Sequence, residues 1–123
     1  MPVATLVSIV DDDESLRQSL PSLVEKFGFR VRTFKSAEEF LASDCLGQTA
    51  CLILDIAMPG MSGPELQREL SRRGQKIPIV FITGERDQVL RQQLLAEGAV
   101  ECLFKPFSPA ALREALNSAL GVS

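Results

Sequence analysis

Five short apolar runs, each followed by a stretch whose apolar residues recur at helical spacing, organise the whole chain. The runs are residues 5–10 (TLVSIV), 29–34 (FRVRTF), 51–54 (CLIL), 77–82 (IPIVFI) and 100–104 (VECLF). After the first, Leu16, Leu20, Leu23, Val24 and Phe27 fall at i, i+4, i+7, i+8 and i+11, one face of a helix. After the second, residues 36–39 (SAEE) have the spacing of a capping box, a Ser hydroxyl and a Glu placed to satisfy the free amides of a helix start. Pro64 suits the first turn of a third helix with Leu66 and Leu70 inward and Gly74 at its end. Leu90 and Leu94 mark a fourth helix closed by Gly98. Ser108 and Pro109 open a fifth that carries Leu112, Leu116 and Ala119 inward. Apolar strands alternating with amphipathic helices predict a parallel sheet covered on both faces. The alternating FRVRTF run predicts a strand near a sheet edge, and Pro21, inside the first helix, predicts a local kink.

A chain of 123 residues fits one domain, and no apolar run approaches the roughly 20 residues of a membrane span. The start, MPVATLVSIVDDD, lacks the basic residues and cleavage site of a secretory leader, so the sequence predicts a cytoplasmic protein. Cys45, Cys51 and Cys102 have no CxxC spacing and read as buried free thiols. The chain has no His, which excludes His-based hydrolase chemistry and His-ligated zinc. Its net charge of −3 argues against direct nucleic-acid contact by this segment. The cluster Arg68, Arg72, Arg73 and Lys76 reads as a solvated helix face.

Ligands of open parallel sheets bind beyond the C-terminal ends of the strands. Those ends carry Asp11, Asp12 and Asp13 after the first run, Asp55 after the third, Thr83 and Gly84 after the fourth, and Lys105 and Pro106 after the fifth. The second offers only Thr33. Asp13 alone is explained as a helix cap, Thr83-Gly84 as a turn and Lys105 as a surface residue. Their joint placement on one edge is what points to a site. Two like charges about 4 Å apart repel by about 4 kcal/mol at an effective dielectric of about 20, and Lys105 offsets only one of the three charges on Asp11, Asp12 and Asp55. The remaining charge calls for a divalent cation. Oxygen donors without His or Cys favour Mg²⁺, an ion that commonly also binds substrate phosphate.

These residues make the chain resemble the receiver domain of two-component response regulators. The resemblance rests on VDDD at 10–13, LDIAMPGMSG at 54–63, ITG at 82–84, GA at 98–99 and KPF at 105–107. IPIVFITG, MPGMSGPELQREL and the GAVECLFKPF frame are most similar to the FixJ-type subgroup, whose members usually add a C-terminal DNA-binding domain. The resemblance implies an α/β, flavodoxin-like (βα)5 doubly wound parallel sheet of order 2-1-3-4-5, with residues 1–123 forming a single receiver domain and no effector domain in this chain. It implies Asp55 as the acceptor of a phosphoryl group from a sensor histidine kinase. It implies Mg²⁺ on Asp12, Asp55 and the backbone carbonyl of Ala57, with Asp11 acting mainly through water. Thr83 and Lys105 would contact the phosphoryl oxygens, and Lys105–Pro106 would be cis.

By the same resemblance the domain is a switch with weak self-catalysed phosphotransfer and dephosphorylation. Movement of Thr83 would alter the face made by the fourth helix, fifth strand and fifth helix, which is also where two copies would pair. The family's switch position, usually aromatic, holds Cys102 here, which bears on the relay of the signal. Ala57 and Glu85 stand where the family tunes phosphoryl lifetime. The chain lacks the phosphate loop and Trp or Tyr of a flavodoxin, and Ala57 replaces the second Asp of a haloacid-dehalogenase-type phosphatase. The remaining rival is a degenerate receiver that binds partners independently of phosphorylation.

Overall fold

A computed structural model describes residues 5–121. The N-terminal residues on which the reading of a missing leader partly rests, and the last two residues, lie outside that range. Five strands, β1 (Leu6–Val10), β2 (Arg30–Phe34), β3 (Cys51–Asp55), β4 (Ile79–Thr83) and β5 (Glu101–Phe104), form one sheet. Their order is β2-β1-β3-β4-β5, and every pairing is parallel. Five helices follow them: α1 (Glu14–Lys26), α2 (Ala37–Leu41), α3 (Gly63–Arg72), α4 (Gln88–Ala96) and α5 (Pro109–Ala119).

Burial explains the two kinds of strand. β1, β3 and β4 are inner strands covered on both faces, and all of their residues are buried, Ser8, Asp55 and Thr83 included. β2 is an edge strand and alternates more loosely, with Arg30, Arg32 and Thr33 exposed. Successive residues of an inner strand point to opposite faces. Leu52 and Leu54 of β3 therefore join Phe40 of α2, Leu66 and Leu70 of α3 and Leu94 of α4. Cys51 and Ile53 join Leu20 and Val24 of α1 and Leu112 and Leu116 of α5 on the other face.

Local boundaries differ from the sequence reading where the backbone limits them. β4 begins at Ile79 rather than at residue 77; Pro78 has no N–H to give to the ladder, although its carbonyl accepts from Leu52 N–H at 2.9 Å. α1, Glu14–Lys26, contains Pro21 in its interior, as the sequence places it. The SAEE box is half-formed: Ser36 Oγ accepts from Glu39 N–H at 3.0 Å, but the Glu39 carboxylate takes the Lys35 N–H instead. The complete box opens α3, where Ser62 Oγ and the Glu65 carboxylate exchange bonds at 3.3 and 3.0 Å. Gly98, at φ +106°, ends the α4 segment in the left-handed region that its sequence position predicts.

Candidate functional site

The C-terminal edge of the sheet is laced by bonds that reach the ends of all five strands. Asp11 N–H donates to Phe34 O at 3.1 Å, Ile56 N–H to Ile82 O at 3.2 Å, and Lys105 N–H to Thr83 O at 2.8 Å. Together with the β1–β3 register, which sets Val10 beside Leu54, these bonds hold the residues just after β1, β3 and β5 level with one another. Asp11 is fully buried: its Oδ1 accepts from Asp13 N–H at 2.8 Å, and its carbonyl accepts from Arg17 Nη1 at 2.7 Å. Asp13 turns the chain into α1 by accepting from Ser15 N–H at 2.9 Å, as its capping position predicts. Asp12, between them, is exposed.

Asp55 ends β3 with only 7% of its surface exposed. Carboxylate oxygens of Asp11, Asp12 and Asp55 lie within 4.8 Å of one another. Lys105 Nζ stands 3.6 Å from Asp11 Oδ2, an oxygen that is buried and accepts no hydrogen bond. Burial pushes the Asp55 carboxyl up to about 7, and the charge of Asp11 pushes in the same direction. Lys105 opposes them, while the hydrogen bond and charge of Asp12 add to the rise. Three crowded carboxylates, one with an orphaned buried oxygen, form an all-oxygen donor set that suits a hard divalent cation.

Thr83, also buried, sits at the end of β4 opposite Phe104, and its Oγ1 accepts from Glu85 N–H at 3.1 Å. Its hydroxyl proton is thus left for another acceptor. Lys105–Pro106 is cis. Ala57 is exposed in the loop between β3 and α3. Cys102 lies away from the acids, buried in β5 opposite Phe81 on the face that packs against α3 and α4; Phe104 packs against the same cluster. Thr33 is exposed within β2 rather than at the sheet edge that holds the acids.

Several residues that hold this arrangement carry no chemical signature in the sequence. Arg17 reads as a polar helix position, yet it fixes the Asp11 carbonyl. A Cβ on Gly63 would lie 2.3 Å from the Asp55 carbonyl oxygen, so the last glycine of MPGMSG is what lets α3 start against the end of β3. Arg91 Nε donates to the Cys102 carbonyl at 3.2 Å and its guanidinium pairs with Glu101, tying α4 to β5. Beside Lys105, a groove of about 630 Å³ runs between α1 and the segment after β5, lined by Leu16, Leu20, Leu23, Pro106 and Phe107.

Residues 7–117 match the response regulator receiver domain. The transcriptional regulatory protein TdiR of Thauera aromatica is 39% identical over 98% of this chain and 53% of its own length. The transcriptional regulatory protein FixJ of Azorhizobium caulinodans is 37% identical over the whole chain and 58% of its own length. Among solved structures, the response regulator StyR superposes with a TM-score of 0.88 at 43% identity, covering 97% of this chain and 60% of that one. The chain thus spans little more than half the length of these regulators.

Proposed function

The chain belongs to the response regulator receiver family of two-component systems, and on that premise we propose that Asp55 accepts a phosphoryl group from a sensor histidine kinase. The observation that carries this reading is the gathering of Asp11, Asp12 and Asp55 within 4.8 Å, with Lys105 beside them. An Asp55 oxygen attacks phosphorus as the P–N bond of a phosphohistidine breaks, and the departing imidazole keeps the bonding pair. Asp55 must be ionised to attack, so the burial and charges that push its carboxyl up to about 7 have to be offset at the site. Mg²⁺, held by Asp12, Asp55 and the Ala57 carbonyl with Asp11 acting through water, would neutralise that charge and the charge of the transferring group.

Lys105 places a cation at the same point. The rigid edge of β3 holds the nucleophile in one orientation, which lowers the entropic part of the barrier. Thr83 donates its free hydroxyl proton to a phosphoryl oxygen, and the loop that Glu85 N–H ties to Thr83 follows it. That movement biases a two-state equilibrium at the face of α4, β5 and α5, where Arg91 couples helix to strand and where two copies pair. With Cys102 at the switch position, Phe104 supplies the aromatic packing on that side. The apolar groove between α1 and Phe107 seats the kinase beside Lys105. The 1–123 segment acts as a single cytoplasmic receiver that controls transcription through an output region or partner outside it. No helix among the described residues is long and apolar enough to cross a membrane.

Intact-mass measurement after incubation with acetyl phosphate and Mg²⁺ tests the reading. The wild type is expected to gain one phosphoryl group and Asp55→Asn none. A wild type that stays unmodified would leave a phosphorylation-independent binding module, and labelled Asp55→Asn would move the acceptor elsewhere.

A further inference from the structure

The loop that follows Asp55 is tethered from a distant part of the chain. Gly63 N–H donates to Ile56 O at 3.0 Å and closes the loop at its base, while buried Met58 anchors its first half in the core. The outer limb, Pro59 and Gly60, is exposed. There Glu38 of α2 reaches across, and its Oε2 accepts from Met61 N–H at 3.1 Å. The neighbouring Gly60 has φ +75°, and a Cβ on it would lie 2.8 Å from the same oxygen. Two consecutive residues of the loop are therefore shaped around one carboxylate contributed 23 positions earlier than Met61.

α2 is a fixed base for that reach. It has only five residues, but Ser36 caps it, and its Phe40 is fully buried with its ring edge-on to Phe34 at 5.3 Å between centroids. Phe34 also supplies the carbonyl that accepts from Asp11 N–H. The end of β2 thus supports both the acidic turn and the helix that holds the loop after Asp55.

We propose that Glu38 is a positioning residue for the acidic site, acting through the Met61 amide to fix the loop that carries Ala57. The role rests on the function proposed above, in which the Ala57 carbonyl and Asp55 share a Mg²⁺ ion. Glu38 touches neither the ion nor the phosphoryl group. An exposed carboxylate-to-amide bond contributes modestly to global stability, so its effect falls on the population of the correct loop conformation.

The experiment compares wild type with Glu38→Ala, Glu38→Gln and Gly60→Ala in two readouts: amide exchange across residues 57–62 without metal, and the Mg²⁺ concentration at the midpoint of the thermal stabilisation. Glu38→Ala is expected to speed exchange at Met61 and to weaken Mg²⁺ about three- to tenfold. Glu38→Gln keeps an oxygen acceptor and is expected to stay within about twofold of wild type. Gly60→Ala, whose Cβ displaces the carboxylate and whose φ of +75° strains an alanine, is expected to weaken Mg²⁺ at least as much as Glu38→Ala. An unchanged Mg²⁺ midpoint in Glu38→Ala would overturn the proposal, leaving Glu38 a surface residue with a structural bond. A Glu38→Gln variant as weak as Glu38→Ala would overturn it too, because charge rather than the hydrogen bond would then be responsible. A wild type that neither responds to Mg²⁺ nor gains a phosphoryl group would instead overturn the functional reading, and with it any role of Glu38 at that site. Failure of the tether alone leaves the wild-type responses intact, so the two failures differ.

Discussion

β1 and β3 carry buried polar groups at two levels, and the two levels are treated in opposite ways. At the lower level Thr49, just before β3, donates its hydroxyl proton to Cys45 O at 2.7 Å, so Ser8 Oγ of β1 must donate to Thr49 Oγ1, 2.6 Å away. Both hydroxyl protons have acceptors. The nearby Cys51 thiol is pushed up to about 12 by burial and stays protonated. At the upper level Asp11 leaves a buried oxygen without a hydrogen bond, and Asp55 is held beside two other acids. The same sheet thus satisfies its polar groups where they only support the fold, and leaves them strained at the acidic edge, where the function proposed above would put a cation and a phosphoryl group.

Gly63→Ala should have the largest effect on this division. Its Cβ would meet the Asp55 backbone 2.3 Å away, which a side-chain rotation cannot relieve. A loss on the order of 3 kcal/mol is expected in urea unfolding. A loss below about 1 kcal/mol would mean that the upper level is soft and that its strain is not held by the scaffold.

Asp55→Asn should change stability in the opposite direction. The folded Asp55 carboxyl titrates at about 7 against 3.8 for the free group, so between those values the folded state binds more protons than the unfolded one. Its contribution is fully present below about pH 4 and is lost as pH rises through 7. Without divalent cations, Asp55→Asn is expected to be more stable than wild type by about 2 kcal/mol at pH 8 and to lack that component of the decline. Mg²⁺ should recover part of the wild-type loss at pH 8, and Asp12→Ala should remove the recovery. A wild-type profile that stays level from pH 4 to 8 would erase the difference between the two levels.

Thr49→Val should give the smallest of the three changes, a loss of about 1–2 kcal/mol from leaving Ser8 without its acceptor. The double variant Ser8→Ala, Thr49→Val is expected to lose no more than the single one. Neither loss should depend on pH between 4 and 8 or on Mg²⁺. A Mg²⁺-dependent loss would show that the lower level is coupled to the site.

Much of the site was legible because its chemistry stands at strand ends. Asp11, Asp12, Asp55, Thr83 and Lys105 each follow or close an apolar run, and the parallel-sheet rule carries those ends to one edge. Their supports were harder to read. Arg17 looks like any solvated helix residue, and Glu38 looks like one too, standing beside Glu39, the acid of the capping motif. Their roles depend on hydrogen bonds to main-chain atoms, which have no side-chain signature for a sequence pattern to match. Alternation marked the β2 edge strand but not β5, the other edge, and the limits of β4 depended on which amides the neighbouring strands could use.

The order of apolar runs and helical faces in the sequence determined a parallel, two-faced sheet, since the inner runs are too apolar to face water and each helix has one face to bury. The identity of the acids and the lysine determined the kind of chemistry available. Only the tertiary structure decided that Asp11 would be sealed while Asp12 stayed in water, and that burial rather than charge alone would dominate Asp55. Only it brought Glu38 onto Met61 and placed Gly63 against the Asp55 carbonyl. Those outcomes depend on distances across the sheet and on the exclusion of water, which arise when separate segments pack together.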